Sequence, residues 1–369
     1  MKNKTFMISI AAATIAVIAA WGFFPLADAF GQSGKAPKKA PSMAQKGGSA
    51  DGAYKLGALL GLDDPNGYVP VDNPLTEDKV ELGRLLFFDK RLSKDNSIAC
   101  ASCHMPGVAF TDGQQVSSGI RRQQGGRSAP ASINRLYSKA QFWDGRAATL
   151  EEQSIGPFTN PVEHGFVDHD EMIAKMKKIE GYRKLFKKVF GADITIGGVG
   201  KAIASFQRTI LSGNSPADRF DMGGDEKALS PEAQRGLALF REKARCTKCH
   251  SGFNFTDEKF HNLGIGWDTN TVDLGRYMVT KDPQEIGAFK TPTLREISRT
   301  APYMHDGRFG TLEEVVSFYN QGGVKNPHRD ELIIPLELTD QEKRDLVEFL
   351  HSLNGEGWQQ ITSPTEFPK

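Results

Sequence analysis

Cys100-Ala101-Ser102-Cys103-His104 and Cys246-Thr247-Lys248-Cys249-His250 decide how this chain is read, and between them they hold all four of its cysteines. Two thiols three positions apart can add to the two vinyl groups of one haem, and the adjacent histidine then reaches the iron. A redox-active Cys-x-x-Cys needs no following histidine. A zinc site built from both pairs is the rival, since four thiolates can close a tetrahedron. The repeated histidine, with no cysteine left over, favours haem. The sequence therefore predicts two covalent haem c groups on Cys100, Cys103, Cys246 and Cys249, with His104 and His250 as proximal iron ligands.

Working outward, each pentad sits in a repeat. Gly107 and Phe110-Thr111-Asp112 follow the first pentad; Gly252 and Phe255-Thr256-Asp257 follow the second. Residues 143–152 (Trp-Asp-Gly-Arg-Ala-Ala-Thr-Leu-Glu-Glu) answer residues 305–314 (His-Asp-Gly-Arg-Phe-Gly-Thr-Leu-Glu-Glu). Helix-like segments precede both pentads, at 75–88 and 229–240, the second opening on Ser230-Pro231. Thr149–Glu152 and Thr311–Glu314 fit capping boxes, so a helix should leave each Asp-Gly-Arg corner. Thr339 and Glu342 cap a last helix with an apolar stripe of Leu346, Phe349, Leu350 and Leu353. With 38 Gly, 19 Pro and few β-branched runs, the expected fold is mainly α. It is two tandem c-type cytochrome domains, residues 51–220 and 221–369, with long loops and few short strands.

Residues 1–29 read as an export signal: Lys2 and Lys4, an apolar run, then Ala27-Asp28-Ala29 as a cleavage site. Left uncleaved, the segment would anchor the chain to a membrane. Residues 30–50 are Gly-, Ser-, Ala-, Lys- and Pro-rich and read as a flexible linker. The expected location is the periplasm. Charge is nearly balanced, 46 Lys and Arg against 45 Asp and Glu, with no basic block of the kind nucleic acid requires.

The pentads, together with Gln141-Phe142-Trp143-Asp144-Gly145-Arg146, Leu211-Ser212-Gly213-Asn214-Ser215-Pro216, Lys290-Thr291-Pro292-Thr293-Leu294-Arg295 and Pro302-Tyr303-Met304-His305-Asp306-Gly307, make the chain similar to the bacterial dihaem cytochrome c peroxidase/MauG family. The likeness runs over residues 75–353. It implies that the His104 haem is the high-spin, peroxide-reacting centre, with Glu163 as the distal acid, Gln153 as its polar neighbour and Trp143 between the haems. Some members carry a distal histidine on this haem. The matching position here is Ile120, and no histidine lies between His104 and His164, so the site should be open without prior reduction. Residues 113–127 form a Gly- and Gln-rich loop that could move over this face.

For the second haem the likeness points to Tyr319 as sixth ligand, where many members have methionine; Met304, His305 and His261 are the alternatives. A phenolate is a hard anionic donor that stabilises oxidised iron. The resemblance also implies a calcium ion held by the Thr300 and Pro302 carbonyls. A side chain usually supplied by asparagine falls at Ser128.

The function expected is a periplasmic oxidoreductase that uses H2O2 to form a high-valent iron state and oxidises a protein partner. The alternative is a peroxidase fed by a small cytochrome or cupredoxin. A non-catalytic electron-transfer cytochrome is a third reading, and a haem sensor a weaker fourth. Residues 196–200 (Ile-Gly-Gly-Val-Gly) are read as a connection before a helix, His164 and His169 as no metal pair, and His328 and His351 as surface residues.

Overall fold

Residues 52–369 are described by the computed structural model, so the expected signal (1–29) and linker (30–50) lie outside the described residues. In chain order the helices are α1 (Glu77–Phe88), α2 (Cys100–Cys103), α3 (Leu150–Thr159), α4 (His169–Met176), α5 (Glu180–Phe190), α6 (Ile196–Gln207), α7 (Pro216–Asp221), α8 (Pro231–Arg241), α9 (Tyr277–Thr280), α10 (Leu312–Asn320) and α11 (Asp340–His351). Two-residue strands β1 (Phe260–His261) and β2 (Phe289–Lys290) pair antiparallel, Phe260 opposite Lys290. The protein is mainly helical, and none of the described helices is long and apolar enough to cross a membrane.

The caps fall where the sequence places them. Thr149 and Thr311 accept from the backbone N–H of Glu152 and Glu314, and Thr339 from that of Glu342. Ser230 caps α8 through Ala233 N–H. Each satisfies a donor that the first helical turn leaves unpaired. Residues 196–200 are a correction: Thr195 caps them through Gly198 N–H, so they form the first turn of α6 rather than a connection. Gly200 is there for packing, because a Cβ on it would come within 2.9 Å of the Glu151 carbonyl oxygen on α3.

The same helix crossing is built twice. A Cβ on Gly83 of α1 would lie 1.9 Å from the Ala202 carbonyl oxygen of α6 and 2.9 Å from Phe206 Cβ. A Cβ on Gly236 of α8 would lie 1.9 Å from the Asp345 carbonyl oxygen of α11 and 2.8 Å from Phe349 Cβ. In both pairs the absence of a side chain lets the backbones touch, and the phenylalanine one turn on fills the flank. One apolar core gathers around the first crossing (Leu82, Leu86, Phe87, Val199, Phe206) and another around the second (Leu237, Phe240, Leu346, Phe349, Leu353).

The segment after α11 returns to the first core: Trp358 and Ile361 are buried in it, with Phe367 against it. Trp358 meets the Phe110 ring edge-on at 6.2 Å, and Gly181 N–H and Arg91 Nη2 donate to the Lys369 and Pro368 carbonyls. Buried Arg295 ties three further segments together, donating to both Asp218 oxygens (2.8 and 3.1 Å) and to the Gly61 and Phe253 carbonyls.

Gly236→Ala should force α8 and α11 apart and cost about 1–3 kcal/mol. Gly197→Ala, where an added Cβ meets nothing within 4 Å, should leave stability unchanged or raise it by a few tenths of a kcal/mol. Urea unfolding of the two variants beside the parent checks both.

Candidate active site

Each pentad winds tightly enough that its histidine N–H reaches back to the first cysteine carbonyl, at 3.0 Å for His104 and 2.8 Å for His250. The imidazoles are then oriented alike. His104 Nδ1 lies 3.1 Å from the Phe110 carbonyl and His250 Nδ1 lies 3.0 Å from the Phe255 carbonyl. Both phenylalanines have left-handed backbones, φ 58° and 50°, which aims those carbonyls at the rings. An Nδ1–H donating to a carbonyl leaves Nε2 as the ligating nitrogen. Burial lowers the pKa of both histidines, favouring the neutral form a metal needs.

Two cavities result. Cys103 and His104 line one; Cys246, Cys249 and His250 line the other. The cysteine pairs serve different cavities, which removes the shared tetrathiolate. Cys103 beside His104 on one cavity, with Cys100 three residues earlier, and Cys246 and Cys249 beside His250 on the other match what a c-type haem requires.

Glu163, Gln153 and Trp143 all reach the His104 cavity. Burial raises the Glu163 pKa above the ordinary carboxylate range, while Arg146 and a 2.6 Å hydrogen bond from Asn160 Nδ2 pull the other way. Gln153 is held by Gln207, whose Nε2 donates to its Oε1 at 3.1 Å. Arg146 is steadied by Asp144 (3.0 Å) and by the Phe142 ring, 3.5 Å beneath its guanidinium. Arg146, Asn160 and Gln207 were missed by sequence reasoning. The Asp-Gly-Arg corner and Asn160, three residues before Glu163, were the available signals.

Ile120 does not line this cavity. It is buried against Gly165, where an added Cβ would lie 2.0 Å from its Cδ1. Its N–H donates to the Val162 and Glu163 carbonyls, and a bridge joins Ser118 to Gln124. The Gly- and Gln-rich loop is thus hydrogen-bonded to the Glu163 segment at Ile120.

On the other cavity, Tyr319 projects from α10 and its hydroxyl makes no hydrogen bond among the described residues. Burial and the nearby Cys249 and Cys246 raise its pKa. Met304 and His305 line the same cavity, His305 stacked on Phe289 at 3.6 Å. His261 is held at both nitrogens, by Asp330 (2.5 Å) and Asp257 (3.0 Å), which leaves neither for iron. Cys249, Asp257 and His261 also resemble a metal cluster, but Cys249 belongs to the pentad.

Residues 128–146 and 290–308 run in register without a gap. Left-handed residues recur at Asn134 and Glu296, at Phe142 and Met304, and at Gly145 and Gly307. Bridges Gln141–Ala147 and Tyr303–Phe309 match as well. The repeats clasp each other: Ser128 N–H donates to the His305 carbonyl at 2.7 Å and Lys290 N–H to the Trp143 carbonyl at 2.8 Å. Trp143, its indole N–H bound to the Ser128 carbonyl at 2.8 Å, lines both cavities. Thr300, Pro302 and Ser128 share the His250 cavity, and the two carbonyls and the hydroxyl accept no hydrogen bond among the described residues. Free hard oxygens suit calcium.

Comparison with known proteins gives a consistent result. A family profile described as di-haem cytochrome c peroxidase matches residues 77–227. The methylamine utilization protein MauG of Methylorubrum extorquens is 42% identical over 289 residues, 78% of this chain and 81% of that protein. Cytochrome-c peroxidase IdrP1 of Denitromonas iodatirespirans is 40% identical over 78% of this chain and 84% of its own length. The crystal structure of a MauG-like protein associated with microbial copper homeostasis is 35% identical, covers 79% of this chain and 93% of that one, and has a TM-score of 0.71.

His164, next to Glu163, is buried, with Nδ1 2.8 Å from the Leu92 carbonyl, and burial lowers its pKa to about 4. A depressed folded value contributes stability in full above the unfolded pKa of about 6.5, lost as pH falls from there through 4. The loss should be on the order of 3 kcal/mol. His164→Gln should flatten that part of the profile, as read from the parent-minus-variant difference in urea unfolding between pH 7.5 and 4.

Proposed function

The chain belongs to the di-haem cytochrome c peroxidase family, and from that membership we propose that it is a periplasmic, H2O2-using enzyme that oxidises a protein partner in the manner of MauG. Its two halves are read as tandem cytochrome c domains, residues 51–220 and 221–369, each binding one haem covalently through its pentad. The observation that carries this reading is Tyr319, a half-buried phenol on the His250 cavity whose hydroxyl has no hydrogen-bond partner among the described residues. Ile120, turned onto Gly165, supports it by leaving no side-chain ligand at that position of the His104 cavity.

The haems supply the iron on which peroxide is activated and two oxidising equivalents are held. Glu163 does the proton work. Its raised pKa suits a group that takes the proton from the nearer peroxide oxygen and delivers it to the farther one as the O–O bond breaks. Asn160 fixes one Glu163 oxygen and Gln207 orients Gln153, so the polar wall is set before peroxide arrives. Trp143, on both cavity walls, relays electrons between them. The Thr300 and Pro302 carbonyls hold calcium, with Ser128, a weaker donor, in the place of the usual asparagine. Residues 1–29 direct export, and the membrane is involved only if they stay uncleaved.

A second reading, a peroxidase drawing electrons from a small cytochrome or cupredoxin, is favoured by Met304, which lines the same cavity as Tyr319.

One equivalent of H2O2 added to the diferric protein without reductant should abolish both ferric haem signals in optical and EPR spectra. Reaction only after one haem is reduced would replace the first reading with the second. Glu163→Gln should slow the peroxide reaction by about 10²–10⁴-fold in stopped-flow traces, with the ferric spectrum unchanged.

A further inference from the structure

We propose that Arg135 and Lys290 form a built-in cation site that binds haem propionate carboxylates where the two cavities meet. The register of the repeats leads to it. Ser128 corresponds to Lys290, Ser138 to Thr300 and Ala140 to Pro302. Around Thr300 and Pro302 the carbonyls and the Ser128 hydroxyl are free. The equivalent carbonyls of the other repeat are closed: Arg135 Nη2 donates to the Ala140 carbonyl at 3.1 Å and Gln141 Nε2 to that of Ser138 at 3.4 Å. Lys290 stands where the first repeat has Ser128. One repeat thus leaves its oxygen cradle open to a metal ion; the other closes it with Arg135 and Gln141 and adds the cation of Lys290.

These cations are not fully used within the protein. Arg135 spends Nε and Nη2 on Gln141 Oε1, at 2.9 and 2.6 Å. Its Nη1 makes no hydrogen bond among the described residues, and the side chain lines both cavities. Lys290 is 4% exposed, lines the His250 cavity and lies 3.2 Å from both oxygens of Glu258. Glu258 already accepts from Ser138 Oγ and Lys139 N–H, and neighbouring Asp257 is committed to His261. One carboxylate therefore faces two enclosed cations. Burial and Arg135 push the Lys290 ammonium down to about 8, a strain that an anion on the cavity side relieves. Haem carries two propionates, and a guanidinium with an ammonium is suited to hold carboxylates.

The inference rests on the two haems and not on which donor reduces them, so it stands or falls apart from the proposed reaction. Its test uses the haem-loaded diferric protein, spectroelectrochemistry and the propionate bending bands of the resonance Raman spectrum. Lys290→Met should shift the band of the His250 haem and raise its oxidised-to-reduced ratio at fixed potential about tenfold, equivalent to about 59 mV. Lys290→Arg should restore both, and Arg135→Gln should move the bands of both haems. If Lys290→Met does not fold, Glu258→Gln, which releases Lys290 from its internal partner, should shift the same band the opposite way. Unmoved propionate bands in folded Lys290→Met, or in Glu258→Gln, would overturn the proposal and leave Lys290 a partner of Glu258 alone.

Discussion

Ser128 N–H reaches the His305 carbonyl and Lys290 N–H reaches the Trp143 carbonyl, and this reciprocal pair is the constraint on which the rest depends. Each bond joins the start of one repeat to the Asp-Gly-Arg corner of the other. Backbone groups withdrawn from water must find partners, and here each repeat satisfies its partner's groups rather than its own. The consequence is positional. Trp143 is clamped at its carbonyl by Lys290 and at its indole by Ser128, so the one ring that borders both cavities is fixed from both sides. The glycine crossings of α1 with α6 and of α8 with α11 act elsewhere, bringing together the helices around which the two apolar cores gather.

Duplication makes two similar sites, and divergence makes them different. Both keep the Cys-x-x-Cys-His turn, the carbonyl that orients imidazole Nδ1 and the left-handed corner. The distal sides share little. Over His104 the wall is Glu163, Gln153 and Arg146; over His250 it is Tyr319 and Met304. An acid whose pKa is raised by burial can exchange a proton with a small oxygenated substrate near neutral pH, whereas a thioether has no proton to give and a phenol raised further by burial holds its own. The repeat thus carries two different sets of side chains on one frame.

Much of this was legible in the sequence because it depends on local rules. The pentads, the threonine caps and the Ser230-Pro231 helix start are short-range signals, and each lies where it was read. Gly83 and Gly236 were passed over, since a glycine inside an apolar helix signals nothing until the facing backbone is known. The Ile-Gly-Gly-Val-Gly run was misjudged for the same reason: Thr195 caps it, and the close approach of α3 explains Gly200. Asn160, Gln207 and Arg146 were missed because their importance lies in whom they touch. The composition of the Ile120 loop, polar and glycine-rich, gave no sign of its hydrogen bonds to the Val162 and Glu163 carbonyls, which are long-range.

The return of residues 358–367 to the first core sets an order of events for a growing chain. Trp358 covers Phe110, and the Phe110 carbonyl is what aims His104. A ribosome delivers Phe110 long before Trp358, with the whole of the second half in between. Until the second half is present, the first core lacks the wall that Trp358 and Ile361 supply. The centre encoded first is thus the one whose core is completed last.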